Sequence, residues 1–444
     1  MYCIKTSFYA LVFFAGVISS SFTAQAMGIK PNAGLAMQFT NNSTNSPDNE
    51  KSDLLIISSV GARVDAASGS LQLEADTSLQ YINYTHDTFT NQRYFNLNAT
   101  AGWEMLRDRL DWQIQDFFSQ QPIDAFSPNT PNNIQDSNVF VFGPSIYFRP
   151  SDRQLLTLNP QYRDFYYEKE DIDNRQNSLD VIWTYQLAKT LDVGFHGGIN
   201  AVDYLDPLIT DNTFRHIHLT IATTRPDYSY RANLGTTHVE RDGSENVHGL
   251  TGNMRWTYGI TPDSDLRAYI ASELTDSNDA LLSSALNADD GGFSNEQISS
   301  DVLRNNVVRF AYLKNDAALS TNLWLEARKQ VYDFALLDQN TQEAGMEFIF
   351  PLSSIVSTGV NASYARIDLT DTGRQDNQYS FGWNINYRFS RRLLATADLQ
   401  YYEVDSTNSA MSYSETSILF SLVYDYDTTR SNLDRRQRTS EPAY

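Results

Sequence analysis

The chain has 444 residues, of which 33 are basic and 54 acidic, and a formal net charge of −21 at pH 7. This acidity argues against a nucleic acid or another polyanion as a partner held by bulk electrostatics. The only cysteine is Cys3, so a disulfide scaffold and a thiolate metal site are both excluded.

Residues 1–26 have the layout of a secretory signal peptide. Lys5 precedes an apolar run over residues 8–18, and Ala24 and Ala26 form an A-x-A cleavage site. The apolar run is too short to span a bilayer as a helix, and no later segment comes near about 18 uninterrupted apolar residues. We therefore expect export, and any membrane crossing should be made by strands.

Alternating apolar and polar residues predict strands that have one apolar and one polar face. In chain order, clear examples cover residues 71–81, 95–103, 179–187, 379–389 and 418–426. Residues 379–389 are the strongest case, because Tyr, Phe, Trp, Ile, Tyr and Phe occupy every second position. The pattern returns roughly every 20 residues with large aromatic residues near its ends, which is typical of a transmembrane β-barrel.

Two kinds of connection separate these runs, and they orient the predicted barrel. Short turns rich in Pro, Asp, Ser and Gly are expected in the periplasm; they cover residues 66–69, 107–109, 150–153, 188–190, 225–227, 261–265, 314–316, 351–354 and 390–392. Longer polar loops, expected outside the cell, cover residues 41–52, 120–136, 203–212 and 276–301, and the last could fold inward or cap the mouth. The predicted fold class is all-β, an antiparallel up-and-down transmembrane β-barrel of about 20 strands (18–20) over residues 27–427.

Residues 428–444 follow the last predicted strand as a polar basic tail with Arg430, Arg435, Arg436 and Arg438. We expect this tail in the periplasm. It is either a disordered extension or a contact for an acidic periplasmic partner or an anionic lipid headgroup.

The candidate functional residues are side chains that the alternation directs into the lumen. Charges of both signs either pair across strands or set the field and selectivity of a pore; they are Glu74, Asp76, Asp180, Arg231, Arg255, Arg267, Glu273, Glu326, Arg328, Glu347, Arg388 and Asp398. Inward aromatic residues could stack against sugar rings or pack near the rim; they are Tyr269, Trp324 and Tyr402.

The histidines give little sequence evidence for a catalytic or metal site. His216 and His218 alternate with apolar residues, so both imidazoles should enter the lumen, where two histidines can share a metal. No converging carboxylate is identifiable, so no metal site is assigned. His86, His238 and His248 lie near predicted loop ends and leave a rim active site open. Phosphate-loop, dinucleotide, HExxH and G-x-S-x-G motifs are missing from the sequence. We therefore assign no catalytic residue and no cofactor, and expect a protein that is not an enzyme.

Residues 122–142 read PIDAFSPNTPNNIQDSNVFVF. This segment resembles the D-P-F-x-P-x-T-P-x-N-x-Q motif of uncharacterised outer-membrane barrels associated with exosortase (PEP-CTERM) systems, a branch similar to the β-barrel porin 2 class. Ala125 stands where the motif has Pro. The resemblance extends to Trp103, to residues 142–144 and 150–153, and to residues 255–256 and 260–262, and it covers most of the mature chain. It implies a barrel encoded with exopolysaccharide and protein-sorting machinery, but no activity is assigned across that family, so no functional residue is carried over.

Three hypotheses follow. The first is a porin-like conduit in the outer membrane of a Gram-negative bacterium, with a role in exopolysaccharide export or surface polymer passage. Its partners would be outer-membrane lipid, polysaccharide and periplasmic export components, without nucleic acid. The second is a structural or adhesive surface barrel whose lumen is plugged by residues 276–301. The third is an outer-membrane hydrolase with a rim active site. The sequence leaves the oligomeric state open.

Overall fold

Twenty antiparallel strands form one closed sheet in the computed structural model, which describes residues 27–278 and 297–425. The first ten strands are β1 (Met27–Thr40), β2 (Asp53–Ser68), β3 (Leu71–Tyr84), β4 (Gln92–Leu106), β5 (Leu110–Pro122), β6 (Ile134–Ser151), β7 (Gln154–Tyr167), β8 (Asn174–Ala188), β9 (Leu191–Tyr204) and β10 (Asn212–Thr224). The other ten are β11 (Tyr228–Arg241), β12 (Val247–Thr261), β13 (Ser264–Asp276), β14 (Val302–Asn315), β15 (Ser320–Tyr332), β16 (Gln339–Pro351), β17 (Val356–Leu369), β18 (Arg374–Ser390), β19 (Leu393–Ser406) and β20 (Tyr413–Asp425). Short 3-10 turns lie at Pro131–Asn133 and Ser409–Met411.

Closure of the barrel comes from pairing between the first and last strands. Each strand pairs with its neighbours in the chain, and β1 also pairs with β20, from Asn32 opposite Asp425 to Thr40 opposite Ser417. Closure leaves no free strand edge, so the backbone groups along every strand have partners within the sheet. The predicted fold class, an up-and-down barrel of about twenty strands, is confirmed.

The connections fall into the two predicted classes. Within the described residues, nine short turns lie at one end of the barrel, and each overlaps a predicted one. In the two-residue turn between β2 and β3, Gly69 adopts a φ of 57°, a conformation that glycine adopts without steric cost. The predicted loop over residues 120–136 is too long, because Gln120 pairs with Asp136 in the β5–β6 ladder. The loop itself covers residues 123–133.

Large apolar side chains cover the outside of the barrel. Leu219 and Leu250 are each 71% exposed, Leu234 is 69% exposed and Phe420 is 61% exposed. A continuous apolar belt of this kind exceeds the patches found on water-soluble monomers, so its natural solvent is lipid. Among the described residues, none belongs to a helix long and apolar enough to cross a bilayer.

Both ends of the chain lie outside the described residues. The predicted signal peptide at residues 1–26, Tyr426 of the last apolar stripe and the basic tail at residues 428–444 fall there. These assignments stay predictions.

Candidate functional site in the lumen

The twelve charged residues predicted to face the lumen lie at strand positions that alternate with exposed apolar residues. On β13, for example, Arg267 and Glu273 alternate with Leu266 and Ile270, which are 38% and 45% exposed on the outside. The same parity places the others on the inner face; they are Glu74, Asp76, Asp180, Arg231, Arg255, Glu326, Arg328, Glu347, Arg388 and Asp398. Their functional role depends on which of these side chains the strand register makes neighbours.

The register aligns six inward residues side by side across six strands. In order from β11 to β16 they are Arg231, Arg255, Tyr269, Arg309, Glu326 and Glu343, each directly opposite the next. We call this set the charged row. Sequence reasoning identified four of its members but missed Arg309 and Glu343, although alternation on β14 and β16 also directs these two inward. Strand register then shows that all six are neighbours.

The charged row is basic at one end and mixed at the other. Glu326 lies 3.7 Å from the Arg309 guanidinium and 2.9 Å from that of Arg328, so arginines surround this carboxylate. At the other end, Arg231 and Arg255 are paired directly opposite each other, a placement that is unfavourable for like charges. The Arg255 guanidinium lies 5.4 Å from the Tyr269 ring centre, within the range of a cation–π contact. Arg231, Arg255 and Arg309, which we call the basic arc, therefore lie in one line of register on one side of the lumen in an acidic protein.

The predicted lumen aromatic residues Trp324 and Tyr402 share a second row. The residues between them in register, from β16 to β18, are Gly345, Ser363 and Ser380. Trp324 lies over Gly345, where any Cβ would collide with the indole ring, and its Nε1 donates to Glu343 Oε1 at 2.9 Å. Two aromatic residues thus flank a floor of small side chains.

A further charge cluster lies near the short-turn end of β1, β2 and β3. Lys30 Nζ is 2.8 Å from Asp65 Oδ2, and Arg63 is directly opposite Asp76. The sequence identified Glu74 and Asp76 here but missed Lys30, Arg63 and Asp65. These opposite charges pair across strands, which is the structural role considered for lumen charges above.

The long-loop end of the barrel carries a cap. Its first part, residues 123–133 between β5 and β6, is stabilised by hydrogen bonds from its own side chains. Asn133 Nδ2 donates to the Asp124 carbonyl at 2.8 Å, and Asp124 N donates to Asn133 Oδ1 at 2.9 Å. Asp124 Oδ1 also accepts from Phe126 N at 2.9 Å. The segment that carries the family resemblance is therefore a loop whose conformation is fixed by internal hydrogen bonds.

This loop reaches far across the mouth. Arg374 Nη2 on β18 donates to the Phe126 carbonyl at 2.8 Å, although β18 is seven strands away from β5 around the barrel. Ala125 N donates to Gln297 Oε1 at 2.9 Å, and Gln297 Nε2 donates to the Ile123 carbonyl at 3.0 Å. These contacts join the β5–β6 loop to the β13–β14 connection.

The described ends of the β13–β14 connection, residues 277–278 and 297–301, fold inward. Ile298 packs among Phe117, Val141 and Phe165 on the inner face of β5, β6 and β7. Tyr167 Oη donates to Asn278 Oδ1 at 2.6 Å. Together with residues 123–133 they form what we call the mouth cap, and residues 279–296 of the connection lie outside the described residues.

The mouth cap should respond to pH through Glu170 in the loop that joins β7 and β8. Burial, and then the neighbouring carboxylates Asp171 and Asp124, raise the pKa of Glu170. Ionised Glu170 therefore opposes packing against Asp124 of the mouth cap at neutral pH, and protonation removes this opposition as the pH falls through the raised pKa. We expect acidification to favour the closed cap, and Glu170→Gln to weaken this pH dependence of single-channel open probability. Glu168→Gln in the same loop serves as the control, and an equal effect of both variants would contradict the role of Glu170.

The lumen histidines have more neighbours than the sequence indicated. His216 and His218 lie beside His196 of β9, and Asp180 of β8 reaches the same point, with its Oδ1 3.0 Å from His196 Nε2. The sequence-based expectation that no carboxylate converges on this pair is wrong, because register brings Asp180 within 3.4 Å of His216.

Rim histidines contact carboxylates. His86 Nδ1 lies 3.3 Å from Asp53 Oδ1, and His238 Nε2 lies 3.8 Å from Glu240 Oε1. His238 and His248 are directly opposite each other on β11 and β12. Asp53 is buried and also accepts hydrogen bonds from Leu54 N and His86 N. The side chains of His238 and Glu240, by contrast, are partly exposed. Neither histidine–carboxylate pair itself contains the nucleophile that the hydrolase hypothesis needs.

A closed strand barrel with an apolar exterior and a charged, polar interior defines the class of outer-membrane, porin-like β-barrels. Consistent with this class, residues 305–426 match the family model described as "Putative beta-barrel porin 2". No curated protein matches the sequence.

Several solved outer-membrane proteins are similar to this chain in structure. The FrpB iron transporter from Neisseria meningitidis (F5-1 variant) has a TM-score of 0.52 at 8% identity, over 91% of this chain and 83% of that one. The outer-membrane protein OpdK from Pseudomonas aeruginosa has a TM-score of 0.40 at 10% identity, over 90% and 99% of the two chains. PiuA, a siderophore receptor from Acinetobacter baumannii, has a TM-score of 0.47 at 8% identity, over 90% and 82%. At these identities the likeness concerns the fold alone.

Proposed function

We propose that this barrel is a conduit for anionic saccharide polymers and takes part in exopolysaccharide export, without catalysis. The observation that carries the proposal is the basic arc of the charged row, where Arg231, Arg255 and Arg309 lie on strands β11, β12 and β14 in one line of register. A barrel of about twenty strands is too wide for side chains alone to fill, so these arginines border water.

Arginine suits the carboxylates and sulfates of acidic sugars. Its planar guanidinium can donate two parallel hydrogen bonds to such a group, and a ring of fixed charge in a pore raises the local concentration of the opposite ion. The row from Trp324 to Tyr402 adds aromatic faces on which sugar rings can stack. The resemblance to barrels of exosortase systems supports the same class of cargo.

The charge reversal Arg231→Glu/Arg255→Glu should turn the conduit toward cations. We expect a several-fold drop in the anion-to-cation permeability ratio, measured as the reversal potential of the refolded protein in a planar bilayer under a salt gradient. The control Arg107→Glu/Arg153→Glu makes the same change of charge at short turns outside the lumen. An unchanged reversal potential in the lumen variant would show that the basic arc does not border the ion path.

The cargo itself can be tested in the producing organism. We expect a strain without this protein to retain polymer in the periplasm and to secrete less of it. The wild-type chain should restore secretion, and the Arg231→Glu/Arg255→Glu variant should not. Normal polymer secretion by the deletion strain would exclude the export role while leaving a general porin function intact.

The mouth cap favours a second candidate, a structural or adhesive surface barrel with a plugged lumen. In that case the contact between Arg374 and Phe126 closes the lumen permanently. The conductance of a variant without residues 124–132 separates the two functions.

A further inference from the structure

Three consecutive strands bring three histidines and one carboxylate close together at mid-height of the lumen wall. Asp180 of β8 is opposite Gly198 of β9, which is opposite His216 of β10. In the adjacent row His196 of β9 is opposite His218 of β10. The four residues are inward members of the middle parts of their strands.

The donor atoms have the spacing of a metal site. Asp180 Oδ1, His196 Nε2 and His216 Nε2 form a triangle with sides of 3.0, 3.4 and 3.2 Å. Ligands about 2.0–2.1 Å from a tetrahedral ion lie about 3.3 Å from one another. His218 lies beside this triangle, because a ring nitrogen from each of His196, His216 and His218 lies within 4.8 Å of the other two.

Gly198 makes this convergence possible. A Cβ at Gly198 would collide with Asp180 Oδ1 and with the His216 ring, so these two side chains meet only across a residue without a side chain. Gly235 lies between His218 and Thr251 in register, and His218 Nε2 lies 2.8 Å from Thr251 Oγ1. Thr251 is in turn bonded to Thr237 Oγ1 at 2.8 Å, so His218 is held in place from behind.

In the absence of a cation, His196 and His216 can each donate an Nε2 proton to Asp180 Oδ1. The same three atoms become metal donors when those protons leave, because each atom then directs a lone pair into the triangle. A metal ion accepts all three lone pairs at once. Mixed imidazole and carboxylate donors suit Zn²⁺, Cu²⁺ and related divalent transition metals.

We propose that Asp180, His196, His216 and His218 form a binding site for one divalent transition-metal ion, which ties β8, β9 and β10 together on the lumen wall. The site is independent of the proposed cargo, since it lies outside the charged row.

The test is titration of the refolded, full-length barrel in detergent with Zn²⁺ alone, by calorimetry. We expect one ion per chain. In the variant His196→Ala/His216→Ala the affinity for Zn²⁺ should fall by at least about 100-fold. Cu²⁺ bound in place of Zn²⁺ should give an electron paramagnetic resonance spectrum with nitrogen couplings that this variant loses. Heat-modifiable migration on gels checks that each variant has formed a barrel.

Two further variants make the result specific. His238→Ala/His248→Ala removes two neighbouring histidines elsewhere in the same barrel and should leave Zn²⁺ binding unchanged. Gly198→Ala keeps all four ligands but fills the space between Asp180 and His216, so it should weaken binding at least tenfold, roughly the effect of a lost supporting contact. Wild-type protein that binds no Zn²⁺, or binding that depends on His238 and His248, would overturn the proposal.

Discussion

Arginine in place of Phe381 should lower the free energy of unfolding by about 2–4 kcal/mol, the cost of this side chain at the midplane of a barrel's lipid face. Phe381 is 44% exposed on the outside of β18, near the middle of the strand. The measurement is urea-induced unfolding in phospholipid vesicles, followed by tryptophan fluorescence.

Ser380→Arg is the matched control, because Ser380 lies at the same depth on the lumen face of the same strand. It loses one hydrogen bond, the 2.6 Å contact between the Ser380 and Ser363 hydroxyls, and should cost only about 1 kcal/mol. Equal costs for the two substitutions would mean that the two faces of β18 meet the same solvent. That result would remove the basis for a membrane-spanning barrel.

Removal of residues 124–132, the β5–β6 part of the mouth cap, should raise single-channel conductance several-fold. Ile123 N donates to the Asn133 carbonyl at 2.9 Å, so an Asn-Gly turn can replace residues 124–132 between them without disturbing the β5–β6 ladder. The replacement removes the contacts of Ala125 with Gln297 and of Phe126 with Arg374. Planar-bilayer recordings of the refolded protein provide the measurement.

The control shortens a loop that does not cross the mouth. Between β1 and β2, Ser43 N donates to the Lys51 carbonyl at 2.7 Å, so an Asn-Gly turn can replace residues 44–50. This loop bonds to itself and, through Asn42, to Ser414 of the adjacent β20. We expect wild-type conductance from this variant. If the variant without residues 124–132 conducts no current, the lumen is closed at another place, and the structural function is favoured. If the wild-type protein already conducts as much current as the variant, the mouth cap does not control conductance.

Local patterning predicts much of this architecture because a strand has a period of two. The alternation in residues 379–389 identifies which face of β18 meets lipid, and the same reasoning directs Arg255, Trp324 and His216 to the lumen. Turn chemistry predicts the short connections, as at Gly69. None of these inferences needs a neighbouring strand.

The candidate sites required the tertiary structure. Arg309 joins Arg255 and Tyr269 only through the register of β13 and β14, and Arg374 meets Phe126 across a sequence separation of 248 residues. The β5–β6 loop also contains ordinary turn residues, and nothing in their order indicates that the loop spans the mouth.

The amino-acid sequence by itself determined that this chain makes a membrane barrel and which side chains face inward. The tertiary structure alone decided which inward residues are neighbours, such as Asp180, His196 and His216 around Gly198. The physical reason is that sliding one strand past another by two residues leaves every side chain on the same face but changes all of its neighbours. That choice of register depends on turn lengths and on packing around the closed sheet, which no single strand encodes.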